Sequence, residues 1–294
     1  MLLTRGNPAG ISAGLAGLHP ARGTYTGVAN SERDGSILLG QVAYELGTRS
    51  ARLTFVAPAS QSASFALVSL LEGLAYQAGE WGAFHLLGEV DELSPAFEAM
   101  RRAGFSVYAW QRIWELPLES SNGKGASPWQ PVDPECEQAV RSLFQIVVPP
   151  LVQSAEPLPN RRLRGLIYRK GADILAYVEG AFGPRGIYLY PLIHPDLDDV
   201  AGLLRTLPQA LAPLLGRPIY LTVRSYQAWM EAALGDLDTH CAPRQALLVK
   251  HLTLGQRVPL NARLVQIEGR QVEPAKTVTQ ITTDDRSQTT EVNS

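Results

Sequence analysis

The chain has 294 residues, 45% of them hydrophobic and 18% charged, which is enough to bury two ordinary cores. A formal net charge of −2 supplies no global basic field for nucleic acid or anionic lipid, and no local basic patch stands in for one. Cys136 and Cys241 are the only cysteines, too few for a disulfide framework and without zinc-type spacing, so a cytoplasmic, reducing environment is expected. No window approaches the roughly twenty apolar residues that would span a bilayer, and the first twenty residues lack the continuous apolar run of a signal peptide.

Residues 1–22 are Gly-, Ala- and Pro-rich, with a weak helical signal at 11–18. The segments TYTGVAN and SILLGQVAYEL then alternate as two strands of a hairpin, with Asp34-Gly35 as the turn pair. A third strand, ARLTFVAP, ends at Pro58, and the polar run ASQSAS leads into an amphipathic helix at 65–77 carrying Phe65, Val68, Leu71, Leu74 and Ala75. Between 86 and 116 the period changes twice. A buried strand (84–90) precedes a helix opened by Ser94-Pro95, which stops at Gly104-Phe105 before a last strand to Leu116.

Residues 117–133 hold Pro, Ser and Gly without periodicity and read as an exposed linker. A helix follows at 134–148, with Asp133 as N-cap and Pro134 in its first turn. The earlier order then recurs: a hairpin from RLRGLIYRK and ADILAYVEG, the strand GIYLYPLIHP, an amphipathic helix at 198–215, the strand RPIYLTV, a helix at 226–234 and a closing strand at 244–254. Recurrence at this scale is an internal duplication. The expected fold is α+β, an α/β sandwich of two tandem units, each a mixed, mainly antiparallel sheet flanked by helices. The expected divisions are 1–118, a linker at 119–133, 134–256, and a mostly disordered polar tail at 257–294.

The strand, helix, Gly104-Phe105 stop and long strand resemble the C-terminal half of a GCN5-related N-acetyltransferase (GNAT). Both units, over roughly residues 23–254, resemble divergent GNAT repeats, the first shortened at its start. The resemblance implies a sheet whose fourth and fifth strands splay to admit acyl-CoA, with the pyrophosphate held by backbone N–H groups at the start of the next helix. In the first unit this loop is Val56, Ala57, Pro58, Ser60, Gln61, Ser62, Ala63 and Ser64, small and hydroxyl-bearing but without the family's glycines. In the second it carries Asp196, Asp198 and Asp199, whose charges repel pyrophosphate.

The family's catalytic positions are empty of acid/base groups. Neither fourth strand holds a carboxylate, and Met100 and Ala232 stand where a tyrosine is expected. Glu89, Asp91, Glu92 and Tyr226 are the nearby substitutes as base or acid. The resemblance therefore implies an acyltransferase moving an acyl group, with acetyl-CoA as donor, to an amine. The alternative is a catalytically degenerate GNAT-fold binding or assembly module.

Three further signals carry less. Gly10-Ile11-Ser12-Ala13-Gly14 matches a nucleophile elbow but has no strand scaffold before it, and Gly123-Lys124-Gly125 lacks the spacing of a phosphate loop. The five histidines are scattered, so no metal is expected. Tyr108, Trp110 and Trp114 on the strand before the linker are read as packing residues.

Overall fold

The computed structural model describes residues 22–33, 35, 37–117, 127–211, 216–237, 239–252 and 280–282. The two glycine motifs at 10–14 and 123–125, the helical signal at 11–18 and Asp34 lie outside the described residues. Two compact units form: a smaller one of Pro20–Leu86, Glu98–Phe105 and Lys250 onward, and a larger one holding Leu87–Phe97 and Ser106–Val249.

In the smaller unit, β1 (Arg22–Asn30) and β2 (Ile37–Glu45) form an antiparallel hairpin in register from Arg22↔Glu45 to Asn30↔Ile37. β3 (Ser50–Ala57) adds antiparallel to β2, with an irregularity at Gln41/Val42. The helix expected at 65–77 runs as α1 (Ala66–Glu80), and its buried residues Leu67, Leu70, Leu71, Leu74 and Ala78 make one stripe laid on β1 and β2. Each fully buried leucine contributes about 1.5–3 kcal/mol. Gly40 lets the helix approach: a Cβ there would stand 2.8 Å from Leu74 Cδ1.

β4 (His85–Asp91) leads to α2 (Pro95–Arg102), which ends as the sequence signals. Gly104 takes φ +81°, its N–H donates to Arg101 O and the Phe105 N–H to Met100 O, and the Phe105 ring is buried. A short strand, Gln280–Thr282, pairs parallel with β1 in the segment read as a polar tail.

The larger unit contains β5 (Ser106–Leu116), β6 (Gln130–Pro131), β7 (Leu166–Lys170), β8 (Asp173–Gly183), β9 (Gly186–Ile193), β10 (Ile219–Arg224), β11 (His240–Cys241) and β12 (Gln245–His251). Its strand order is β4-β12-β5-β10-β9-β8-β7-β6. β9 and β10 are parallel over Ile187–Leu189 and Ile219–Leu221, while β12–β5, β5–β10, β9–β8 and β8–β7 are antiparallel. In chain order β7 to β12 runs as three strands, two short helices, a strand, a 3-10 turn with a helix, and two strands. In space β12 lies between β4 and β5, and β5 lies beside β10.

One face of this sheet packs against α3 (Glu137–Val147) and α4 (Pro150–Ala155), through Tyr108, Val140, Leu143, Phe144, Tyr177 and Leu247. The other packs against α5 (Val200–Arg205), α6 (Leu207–Ala210) and α7 (Met230–Gly235), through Trp114, Leu189, Leu204, Leu221 and Met230.

Three expected helices change shape. The one at 198–215 breaks at Thr206, because Pro208 withholds an N–H from the ladder. The one at 226–234 begins as a 3-10 turn, Ser225–Gln227, before α7. The one at 134–148 opens with a turn in which Asp133 Oδ1 accepts the Cys136 N–H at 2.8 Å, so its helical ladder starts at Glu137. In the segment read as linker, Trp129 is buried and its Nε1 donates to Thr206 Oγ1 at 3.0 Å.

Candidate functional site

The loop after β3 belongs wholly to the smaller unit. Val56 and Ala57 end β3 half-buried and pair with Gly40 and Leu39, after which Ala59–Gln61 makes a 3-10 turn. Gln61 Oε1 accepts the Ile37 N–H at 3.0 Å, tying the loop to the turn between β1 and β2. Ser64 is buried and caps α1, its Oγ accepting the Ala66 N–H at 3.1 Å and its carbonyl the Leu67 N–H. Pro58, Ser60 and Ala63 are exposed, and Ser62 is half-buried. The first turn of α1 holds no acid, and the Arg33 guanidinium lies 5.4 Å from the centroid of the Phe65 ring beside it.

The corresponding loop after β9 is filled by its own side chains. Asp199 Oδ1 accepts the Gly202 N–H at 2.7 Å and so occupies the start of α5. Asp198 pairs with Lys170 at 2.8 Å, which holds its carboxyl below the ordinary value, and Asp196 lies 3.6 Å from His194 Nδ1.

Beyond their parallel stretch β9 and β10 have their inner edge satisfied by side chains. Thr222 Oγ1 donates to Leu189 O at 3.0 Å. Gln227 Nε2 donates to Pro191 O at 3.0 Å, and Gln227 Oε1 accepts the Ile193 N–H at 2.9 Å. Gln227 is fully buried.

Of the four acid/base candidates, all lie in the larger unit, and two, Glu89 and Asp91, join one hydrogen-bond network. Glu89 Oε2 accepts from Gln111 Nε2 at 3.4 Å, the same nitrogen donates to Gln245 Oε1 at 2.9 Å, and Gln245 Nε2 donates to Asp91 Oδ1 at 2.9 Å. Gln111 pairs in register with Gln245 on one side and Arg224 on the other, so one face carries Gln245, Gln111 and Arg224 in a row. Arg224 Nη2 pairs with Glu156 Oε2 at 3.1 Å in the interior. Burial opposes the guanidinium charge, but Glu156, then Tyr108, Glu89 and Tyr226, hold its pKa above the ordinary value. Tyr226 beside it is pushed up to about 12, mainly by burial, and keeps its proton throughout the neutral range.

Glu92 stands apart, 3.5 Å from Arg244, whose guanidinium lies 4.1 Å from the Trp110 ring centroid. Tyr108 and Trp114 are buried, whereas Trp110 is half-buried between Arg244 and Phe97. Glu156, Gln111, Arg224 and Gln245 were not legible as site residues, because their meeting depends on strand register between distant segments. The one local signal is Arg224, a cation closing an otherwise uncharged strand, IYLTVR. Among the described residues no group of three or more His, Cys, Asp or Glu could hold a metal ion.

No protein-family model and no curated protein matches the chain. Among solved structures, a GCN5-related N-acetyltransferase from Kribbella flavida superposes with a TM-score of 0.52 at 11% identity, over 81% of this chain and 93% of that one. This chain has the GNAT fold. A GCN5-related N-acetyltransferase from Sphaerobacter thermophilus gives 0.45 at 14% identity, over 74% of this chain and 78% of that one. A tandem GNAT protein from the clavulanic acid biosynthesis pathway gives 0.45 at 14% identity, over 79% and 84%. At these identities the GNAT likeness is one of fold.

Proposed function

We propose that the protein is an acyl-CoA-dependent N-acyltransferase that uses acetyl-CoA and an amine, with the cofactor phosphates received by the loop Val56–Ala57–Pro58 and Ser60–Gln61–Ser62–Ala63–Ser64. The observation that carries this reading is the contrast between the two loops. The start of α1 has hydroxyls, small side chains, a neighbouring arginine and no acid, so its helix dipole favours an anion. The start of α5 already holds the Asp199 carboxylate.

The chemistry needs the amine nitrogen to lose a proton as it attacks the thioester carbonyl. The C–S bond then breaks, and the thiolate takes up a proton. Glu89, exposed and bonded to Gln111, is assigned the base, with Asp91 behind it through Gln245. Tyr226, protonated at neutral pH, is assigned the proton donor. Glu92 is engaged with Arg244 and serves position.

A second reading, a GNAT-fold binding or assembly module, draws on the closure of the second loop by Asp199 and of the β9–β10 gap by Gln227. Calorimetric titration with acetyl-CoA and CoA tests both. The transferase reading expects saturable binding lost in the Ser62→Leu/Ala63→Leu double variant, together with acyl transfer. Binding without transfer across a broad amine panel favours the module, and no binding sinks the cofactor assignment.

A further inference from the structure

Among the described residues of the larger unit, Arg224 Nη1, Gln111 Oε1 and Trp114 Nε1 are buried without a hydrogen-bond partner, and the first two are neighbours in strand register. Arg224 is 7% exposed and Gln111 2%. Leaving such atoms unpaired is costly, more so for the charged one. Their orientation is fixed by what the rest of each side chain does. Gln111 Nε2 faces Glu89 Oε2 and Gln245 Oε1, two acceptors, so a flipped amide would set oxygen against oxygen and Oε1 must be the atom left over. Arg224 is anchored through Nη2 on Glu156, which leaves Nη1 as the outstanding donor.

We propose that this pair is the recognition site for the acceptor, and that the acceptor is an aminocarboxylate of amino-acid type. The inference rests on the transferase reading. The site asks for an acceptor, preferably anionic, at Arg224 and for a donor at Gln111, one strand spacing or about 4.8 Å away. The exposed Glu89 carboxylate beside Gln111 makes that donor an ammonium, and Tyr188 and Tyr190, whose rings meet edge to face at 5.1 Å, offer an apolar wall on the neighbouring strand. Glu89, bonded to Gln111, is exposed, and Tyr190 is 38% exposed. A ligand that brought only an amine would leave the buried guanidinium unanswered, and one that brought only a carboxylate would leave Gln111 so.

The test compares leucine, phenylalanine and glutamate with the amines that remain when their α-carboxyl is removed, by calorimetry on the full chain without CoA. The aminocarboxylates are expected to bind at least tenfold tighter than their amines. Arg224→Met combined with Glu156→Met removes the cation without stranding its buried partner, and is expected to erase that preference while acetyl-CoA affinity stays unchanged; Gln111→Leu weakens both classes. Equal binding of acids and amines, no binding of either, or a preference that survives in the folded double variant overturns the proposal. Acetyl-CoA binding and acyl transfer are read separately, so amino-acid binding without transfer overturns the transferase reading and leaves this site standing.

Discussion

Gln227 Oε1 accepts the backbone N–H of Ile193 at 2.9 Å, and its amide nitrogen returns a hydrogen bond to Pro191. One side chain thus completes a strand edge that β10 has left. Gln227→Leu keeps the volume and strips both bonds from buried backbone, so stability should fall by roughly 2–4 kcal/mol. Urea unfolding measures this; a loss below about 0.5 kcal/mol would show that the edge finds other partners.

The two loops differ by charge, which makes them separable by mutation. Ser62→Asp places a carboxylate at the start of α1 and is expected to weaken acetyl-CoA at least tenfold. Asp199→Ala removes a helix cap costing about 1 kcal/mol of stability and leaves acetyl-CoA affinity as it was. If instead Asp199→Ala strengthens binding, the second loop is the phosphate site.

Glu89→Gln tests the base. Removing a positioned base costs on the order of a hundredfold in rate, so kcat should drop by about that factor with acetyl-CoA affinity unchanged. A variant that turns over like the parent transfers the role to Asp91 or to solvent.

His85 supplies a pH prediction for the smaller unit. Burial, then the charges of His251 and Arg49, lower its pKa below the ordinary 6.5, and its ring meets His251 edge-on at 4.9 Å. The unfolded chain therefore takes up the proton first as pH falls below about 6.5. The neutral ring's contribution is intact above that value and is lost as pH falls through the folded pKa. Melting temperature should decline from pH 7.5 to 5, and His85→Phe should decline less. Equal slopes would show that the histidine is not the sensor.

Ending the chain after Pro243 removes β12 and leaves β4 and β5 without the strand between them. The expected product has no cooperative unfolding transition by circular dichroism. A sharp transition in that product would mean β4 and β5 can close on each other.

Much of the fold could be read locally. The β1–β2 and β7–β8 hairpins, the apolar stripe of α1 and the Gly104-Phe105 stop follow from alternation, helical spacing and a positive-φ glycine. The break at Thr206 was there to be read in Pro208, but the leucine periodicity on both sides outweighed it. Site candidates at strand ends were found by type, as Glu89 and Tyr226 were. The Gln245–Gln111–Arg224 row was not, since it exists only in cross-strand register. A single sequence shows that Arg224 is an unusual strand residue and gives no means of finding Glu156.

The place of β12 has a consequence for biogenesis. Gln111 and Gln245, bonded partners, are 134 residues apart, so during synthesis β4 and β5 leave the ribosome long before the strand that joins them exists. Until then both present unpaired backbone edges, which invite pairing with other nascent chains. Closure of so wide a loop is slow compared with hairpin formation. The sheet of the larger unit therefore closes only once β12 has been made, and its yield in a cell should respond to chaperone supply.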